Sequence, residues 1–233
     1  PGVNVHVGVT SSEMVYSGSG TTSISNGACT FTGDNGQPNT AFYITPDVED
    51  TGRNGAQGRL FDPGSGVTYY DFYTDDGPDV INGLSDWFGQ AVAIGTGGSN
   101  IEMTAAPAGW VVDTSVNQAA NAGFLREDAI LVIVMVSDAP KHEDLTTPQQ
   151  TYDAVVAAKD GNAEAVVVMG LIPDPGNGCV TNQPDAGEHW AEFIAMFGDN
   201  GIQGQICDED YVPFFQSAVD IIDETCDEFP TPE

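Results

Sequence analysis

Asp138 is the residue whose position speaks most directly of chemistry. It closes the stretch Ala129–Asp138, AILVIVMVSD, where seven consecutive apolar residues, Ile130 to Val136, run into Ser137-Asp138. A carboxylate delivered to the carboxyl end of a buried strand can hold a cation or a ligand's donor groups, because open α/β sheets bind ligands in the crevice outside those ends. The competing role for such an acid is a helix cap or turn former. Four residues further on, His142 is followed by Glu143 and Asp144, a set that could run acid–base hydrolysis. The chain has neither a G-x-S-x-G elbow nor H-E-x-x-H, so catalysis is set aside and the protein reads as a non-enzyme. His142 and His189 then read as solvated residues on a loop and a helix, and His6, within a strand, as a packed or edge side chain.

Other polar clusters carry less. Three oxygen-rich patches, Thr32–Asn39, Asp50–Asn54 and Thr74–Asp79, could face calcium, but none keeps the alternating Asp ladder and terminal Glu of an EF-hand loop. Turn chemistry accounts for them without metal. The glycine loop Gly95-Thr96-Gly97-Gly98-Ser99-Asn100 lacks both the Lys-Ser/Thr of a phosphate loop and the G-x-G-x-x-G spacing. Four cysteines, Cys29, Cys179, Cys207 and Cys226, show no C-x-x-C pair, which argues against zinc. Their even number and wide spacing fit disulfides in an exported protein, with three pairings open.

Charge narrows the partners. The 233 residues include 35 acidic and 5 basic side chains, a net charge of −30. Nothing in such a chain neutralises phosphates, so nucleic acid and anionic membrane surfaces are excluded. The scattered carboxylates read chiefly as a solvated surface adapted to high salt, where screening suppresses self-repulsion, and secondarily as cation ligands. There is no apolar run of membrane-spanning length, signal peptide or lipobox, and the opening Pro1-Gly2 ahead of a strand looks like a mature or trimmed product.

The elements that would position Asp138 follow from periodicity. Asn4–Val9 alternates as a strand. Residues 11–76 are rich in Gly, Ser, Thr, Asn and Asp, with apolar islands at Ala41–Ile44 and Val67–Phe72, and read as a loop-rich or hairpin-rich insertion. Pro78 opens a helix whose apolar face is Val80, Ile81, Leu84, Trp87, Phe88, Ala91 and Val92. A second helix starts near Ser99 and is broken or reset by Pro107 and Gly109. Ile130–Val136 reads as a strand buried on both faces in the middle of a parallel sheet. Thr147-Pro148-Gln149-Gln150 has the form of a capping box and opens a helix carrying Tyr152, Val155 and Val156 inward. Ala165–Ile172 is the next buried strand, completing a βαβ unit with an expected right-handed crossover. His189–Phe197 is a short helix, Gly204–Ile206 the last strand, and Tyr211–Phe229 a final helix expected to bury Phe215, Ala218, Val219, Ile222 and Cys226.

Taken together, Gly95–Asn100, Asn121–Arg126, Ala129–Asp138 and the closing Thr225-Cys226-Asp227-Glu228-Phe229 resemble von Willebrand factor A-like domains, most closely the exported, often lipoprotein, versions of deltaproteobacteria and myxobacteria. The resemblance implies a single α/β domain over 1–233, with a doubly wound, mostly parallel Rossmannoid sheet and helices on both faces. It also implies a binding or adhesion function at the cell surface or outside the cell, through a metal-ion-dependent site, intact or degenerate, at the carboxyl edge of the sheet. In that family Mg²⁺, or here Ca²⁺, is held by D-x-S-x-S from the first strand, a loop hydroxyl and a later Asp. Carried over, Asp138 is the acid, Ser99 the hydroxyl with Thr96 a second candidate, and Glu102 can join through water. Asp113-Thr114-Ser115-Val116-Asn117 is the nearest match to D-x-S-x-S and reads as a loop feature. No D-x-S-x-S precedes Val3, so the family's central first strand has no counterpart. The expectation is a slot between Asn4–Val9 and Ile130–Val136, filled by upstream residues or by a protein partner or neighbouring subunit through strand complementation, with a sheet that closes differently as the alternative. The alternative function is therefore a structural subunit of an extracellular assembly. The resemblance also pairs Cys179 with Cys207 and leaves Cys29 and Cys226 to pair with each other or upstream.

Overall fold

The computed structural model of the chain describes residues 2–12, 21–25, 28–32, 54–95, 103–113, 117, 119–138, 147–173 and 187–228. Its strands are β1 (Asn4–Gly8), β2 (Thr21–Ser25), β3 (Ala28–Thr32), β4 (Tyr69–Tyr73), β5 (Leu131–Val136), β6 (Val166–Ile172) and β7 (Gly201–Gln205). Its helices are α1 (Pro78–Ala91), α2 (Ala106–Val112), α3 (Pro148–Ala157), α4 (Glu188–Ala195) and α5 (Val212–Glu228). The fold is mixed α/β. β5, β6 and β7 form a parallel sheet in that order, while β1–β4 and β2–β3 are separate antiparallel pairs.

β6 is the centre of the parallel sheet. All seven of its residues, VVVMGLI, are buried, as expected for a strand with a neighbour on each edge and cover on each face. Gly170 lets α4 approach, since a Cβ there would strike the Ile194 side chain. On one face, Val166, Val168 and Ile172 join Leu131 and Met135 of β5 beneath α2, α3 and α4. Trp190 and Phe193 of α4 are fully buried there. Each contributes about 1.5–3 kcal/mol by leaving water. On the other face, Val167 and Met169 pack with Ala218, Phe214, Ile221 and Ile222 of α5.

The capping box forms as its residues require. Thr147 Oγ1 accepts from Gln150 N at 3.2 Å, and Gln150 Oε1 accepts from Thr147 N at 2.8 Å, with Pro148 at the first helical position. α3 then closes through Asp160 and Gly161, both at positive φ. Pro107 opens α2 rather than breaking a longer helix, because a missing N–H costs nothing in the first turn. β7 begins three residues earlier than the expected Gly204, at Gly201.

Three expectations need correction. β5 is an edge strand among the described residues, and one of its faces is only partly covered: Val134 and Val136 are 51% and 59% exposed, because α5 packs over Val167 and Met169 of β6. The final helix turns differently from the expected stripe. Ala218 is buried, but Phe215, Val219 and Cys226 are exposed, and Phe214 and Ile221 pack inward instead. α1 likewise buries Trp87 and Ala91 and leaves Ile81, Phe88 and Val92 exposed. In each case the sequence supplies an apolar face wider than the surface that covers it. A further finding concerns the 11–76 stretch: its last apolar island becomes β4, which pairs along the whole of β1, from Asn4↔Tyr73 to Gly8↔Tyr69.

Candidate functional site

Two strand edges lie open on the same molecule. Ser137 N donates to Leu171 O, so the odd-numbered residues of β5 turn their backbone groups to β6. The N–H and C=O groups of Val132, Val134 and Val136 therefore point away from it, and no backbone hydrogen bond from the described residues reaches them on that side. In the ribbon, Thr74 N donates to Val3 O, which makes the odd-numbered residues of β1 the ones bonded to β4. Asn4, His6 and Gly8 face the other way. Of these, Asn4 O accepts from Arg126 Nη2 at 2.8 Å. A row of unpaired donors and acceptors is the template on which another strand pairs.

The segment before β5 is tied to the start of β1 and to Lys159. Arg126 reaches the start of β1 at Asn4, and Lys159 Nζ donates to Arg126 O at 2.7 Å and Glu127 O at 3.0 Å. Asn4, the segment leading into β5 and Lys159 ahead of β6 are thus joined. Lys159 is only 5% exposed. Burial lowers its affinity for a proton below the ordinary lysine value of 10.5, against the opposing pull of Asp128 and Asp160. Further along, His6 Nδ1 lies 2.8 Å from Phe124 O, and His6 Nε2 lies 3.5 Å from Asp71 Oδ1.

Two asparagines hold the segment Gln57–Leu60 against α2. Asn121 Oδ1 accepts from Leu60 N at 3.0 Å, while its Nδ2 donates to Gly58 O and Val111 O. One helical turn earlier, Asn117 Nδ2 donates to Gln57 O at 2.8 Å and Trp110 O at 2.9 Å. Both side chains are buried. They clamp the turn at Gln57–Gly58, where both residues have positive φ. Sequence reading passed over them; the available signal was two asparagines four residues apart within an apolar stretch.

Of the residues assigned from sequence, Asp138 is exposed just past the end of β5. Thr96, Ser99 and Glu102 lie outside the described residues, as do Thr114, Ser115 and Val116, and the His142-Glu143-Asp144 loop. Among the described residues no group of three or more His, Cys, Asp or Glu side chains could hold a metal ion. The patch at Thr74–Asp79 is a turn that runs into the first residues of α1, and in it Asp76 Oδ2 accepts from Tyr73 N at 2.7 Å. Asp62 closes another. Loss of solvent opposes its ionisation, and hydrogen bonds from the N–H groups of Gly64, Gly66 and Ser65 and from the Ser65 hydroxyl outweigh that, so its carboxyl is held below 3.8.

Cys207, exposed just beyond β7, is disulfide-bonded, with its partner outside the described residues. Cys179 lies there too, and so does the side chain of Cys29. Cys226, expected in a disulfide, is instead a thiol exposed on α5.

No helix among the described residues is long and apolar enough to cross a membrane. No family model, curated protein or solved structure matches the chain.

Proposed function

We propose that this protein is a non-catalytic binding module of a secreted or cell-surface assembly. In this reading it is a von Willebrand factor A-like domain with a doubly wound sheet, interrupted where the family's central strand would lie. The module takes up an extended segment of a protein partner along β5, between β5 and β1. The observation that carries the reading is the edge of β5: its outward backbone groups lack partners among the described residues, and Val134 and Val136 beside them are exposed. Main-chain hydrogen bonds would supply affinity, and the valines would select apolar residues at alternate positions of the segment. Disulfides, of which Cys207 forms one half, suit the oxidising compartment of such an assembly.

The test uses a synthetic strand peptide of about nine residues, alternating Val and Thr with a lysine at each end. Fluorescence polarisation should show saturable binding, weakened at least about tenfold by Val134→Pro. That change removes an outward N–H and leaves the β5–β6 ladder intact. Equal binding by the variant, or no saturable binding by the unaltered protein, refutes the reading.

A metal-dependent adhesion site is a second reading, favoured by the exposed carboxylate of Asp138 at the carboxyl end of β5. Its hard oxygens suit Mg²⁺ or Ca²⁺, with Ser99 and Thr96 as the hydroxyl ligands. A metal ion bound only by the folded chain should raise the thermal midpoint, and Asp138→Ala should abolish the rise. A flat response to both ions removes this reading.

A further inference from the structure

The other edge of the ribbon, along β4, is open as well. With Thr74 N bonded to Val3 O, the hydrogen-bonded pairs of the β1–β4 ladder are Val5↔Phe72 and Val7↔Tyr70. Tyr69, Asp71 and Tyr73 therefore turn their backbone groups away from β1. The turn into α1 takes up those of Tyr73: its N–H donates to Asp76 Oδ2 at 2.7 Å, and its carbonyl accepts from Asp76 N at 2.9 Å. The outward N–H and C=O groups of Tyr69 and Asp71 have no hydrogen-bond partner among the described residues. Two residues apart on one strand, they have the spacing on which a further strand bonds.

This edge runs along a cleft. Residues 65–71 and Trp87 line an open space of about 550 Å³, within the range of ligand sites. Tyr70 and Trp87 are its aromatic wall, with ring centroids 6.0 Å apart, and the Tyr70 hydroxyl donates to Val80 O at 3.1 Å. Trp87 is only 6% exposed, and its buried Nε1–H has no acceptor. A buried donor normally finds one, so the chain does not complete this wall by itself. Successive side chains of a strand alternate between faces. Tyr70 accordingly faces α1, and Asp71 stands on the opposite face beside Asn4 and His6. Asp71 Oδ1 accepts from Asn4 Nδ2, whereas Oδ2 has no partner among the described residues, and the side chain is 58% exposed.

We infer that the edge of β4 takes up an extended peptide in which basic and apolar residues alternate. Its main chain bonds to the outward groups of Tyr69 and Asp71. The residue opposite Tyr70 lies on the face of α1 and enters the cleft against Tyr70 and Trp87. Its neighbour, opposite Asp71, lies on the other face and is Lys or Arg, because cross-strand neighbours of opposite charge attract and Asp71 Oδ2 is available. Arg59, Arg126 and Lys159 are engaged within the fold, so the base comes from a separate polypeptide. This site is distinct from the edge of β5 and does not rest on strand uptake there.

The experiment uses the whole chain and two peptides of about nine residues and equal composition, one alternating Lys with Val and the other in Lys-Lys-Val-Val blocks. At about 0.3 M salt, where exposed charges are screened, the alternating peptide should bind at least about tenfold tighter than the blocked one. On binding, amide exchange at Tyr69 and Asp71, read by NMR, should slow at least about tenfold, and it should slow equally in Val134→Pro. Asp71→Asn keeps the outward N–H and loses the charge, so it should weaken binding roughly two- to fivefold while the thermal midpoint holds. Equal binding of the two peptides, or exchange at Tyr69 and Asp71 that bound peptide leaves unchanged, overturns the inference. So does protection that Val134→Pro abolishes, which would assign the peptide to β5. Concentration-dependent dimerisation that protects the same two amides would put a second copy at this edge and overturn the separate basic peptide.

Discussion

The two faces of the parallel sheet are built from similar residues and end in different states. Beneath α2, α3 and α4, Leu131, Met135, Val166, Val168 and Ile172 meet Trp190 and Phe193, and that face is closed. Opposite, Val167 and Met169 meet Ala218, but Val134, Val136 and the near flank of α5 do not meet anything that removes them from water. Both faces have the apolar composition of a sheet covered on both sides, yet only one has enough helices among the described residues. The proposed strand uptake would act on this exposed apolar face and on the backbone groups beside it that lack partners among the described residues.

The sharpest way to break this comparison is to truncate one side chain on each face. Phe193→Ala, on the closed face, should cost about 3–5 kcal/mol in urea-induced unfolding, since it leaves a cavity among buried neighbours. A loss below about 1 kcal/mol would mean that this face is not the stabilising core. Asn121→Ala should come next, at about 2–4 kcal/mol, because Leu60 N, Gly58 O and Val111 O would all lose a partner in a buried place. Asn121→Asp should recover little, as it keeps the acceptor and loses both donors.

Phe215→Ala, the counterpart on the open face, should change stability by less than about 0.5 kcal/mol in the isolated chain. A cost comparable to Phe193→Ala would show that Phe215 is covered after all and remove the contrast. The smallest expected effect is at Asp62. Its carboxyl is held below 3.8, so the loop at Asp62–Gly66 gains from the ionised form above that value and loses the gain as pH falls through the lowered one. Amide exchange of Gly64, Ser65 and Gly66 should therefore speed up on acidification into that range, after correction for intrinsic exchange. Asp62→Asn should remove the pH step.

Much of the local order was legible in advance. The capping box at Thr147–Gln150 was readable because its two hydrogen bonds join residues three apart, and it forms as read. The helix opened by Pro78 and the buried strand ending at Ile172 followed from periodicity and from an unbroken apolar run. Pairing was less legible. Val67–Phe72 looked like an island inside a loop-rich stretch, and its role as partner of β1 depends on groups more than 60 residues apart. The asparagine clamp was invisible for the same reason: its acceptors at Gln57 and Gly58 are distant in sequence. Asp138 lies two residues past the end of β5, while Ser99 and Thr96 lie outside the described residues.

By itself the sequence determined which segments are helix or strand and which residues are apolar enough to be buried, because both follow from local hydrogen bonding and side-chain periodicity. It did not determine which of those apolar residues find cover. Ile130–Val136 reads as a central strand, and Phe215 and Val219 read as core, because hydrophobicity records only the tendency to leave water. Whether a neighbour is there to receive them is decided by how strands order and helices rotate over the sheet. Here that arrangement seals one face of the parallel sheet and leaves Val134, Val136 and one flank of α5 open.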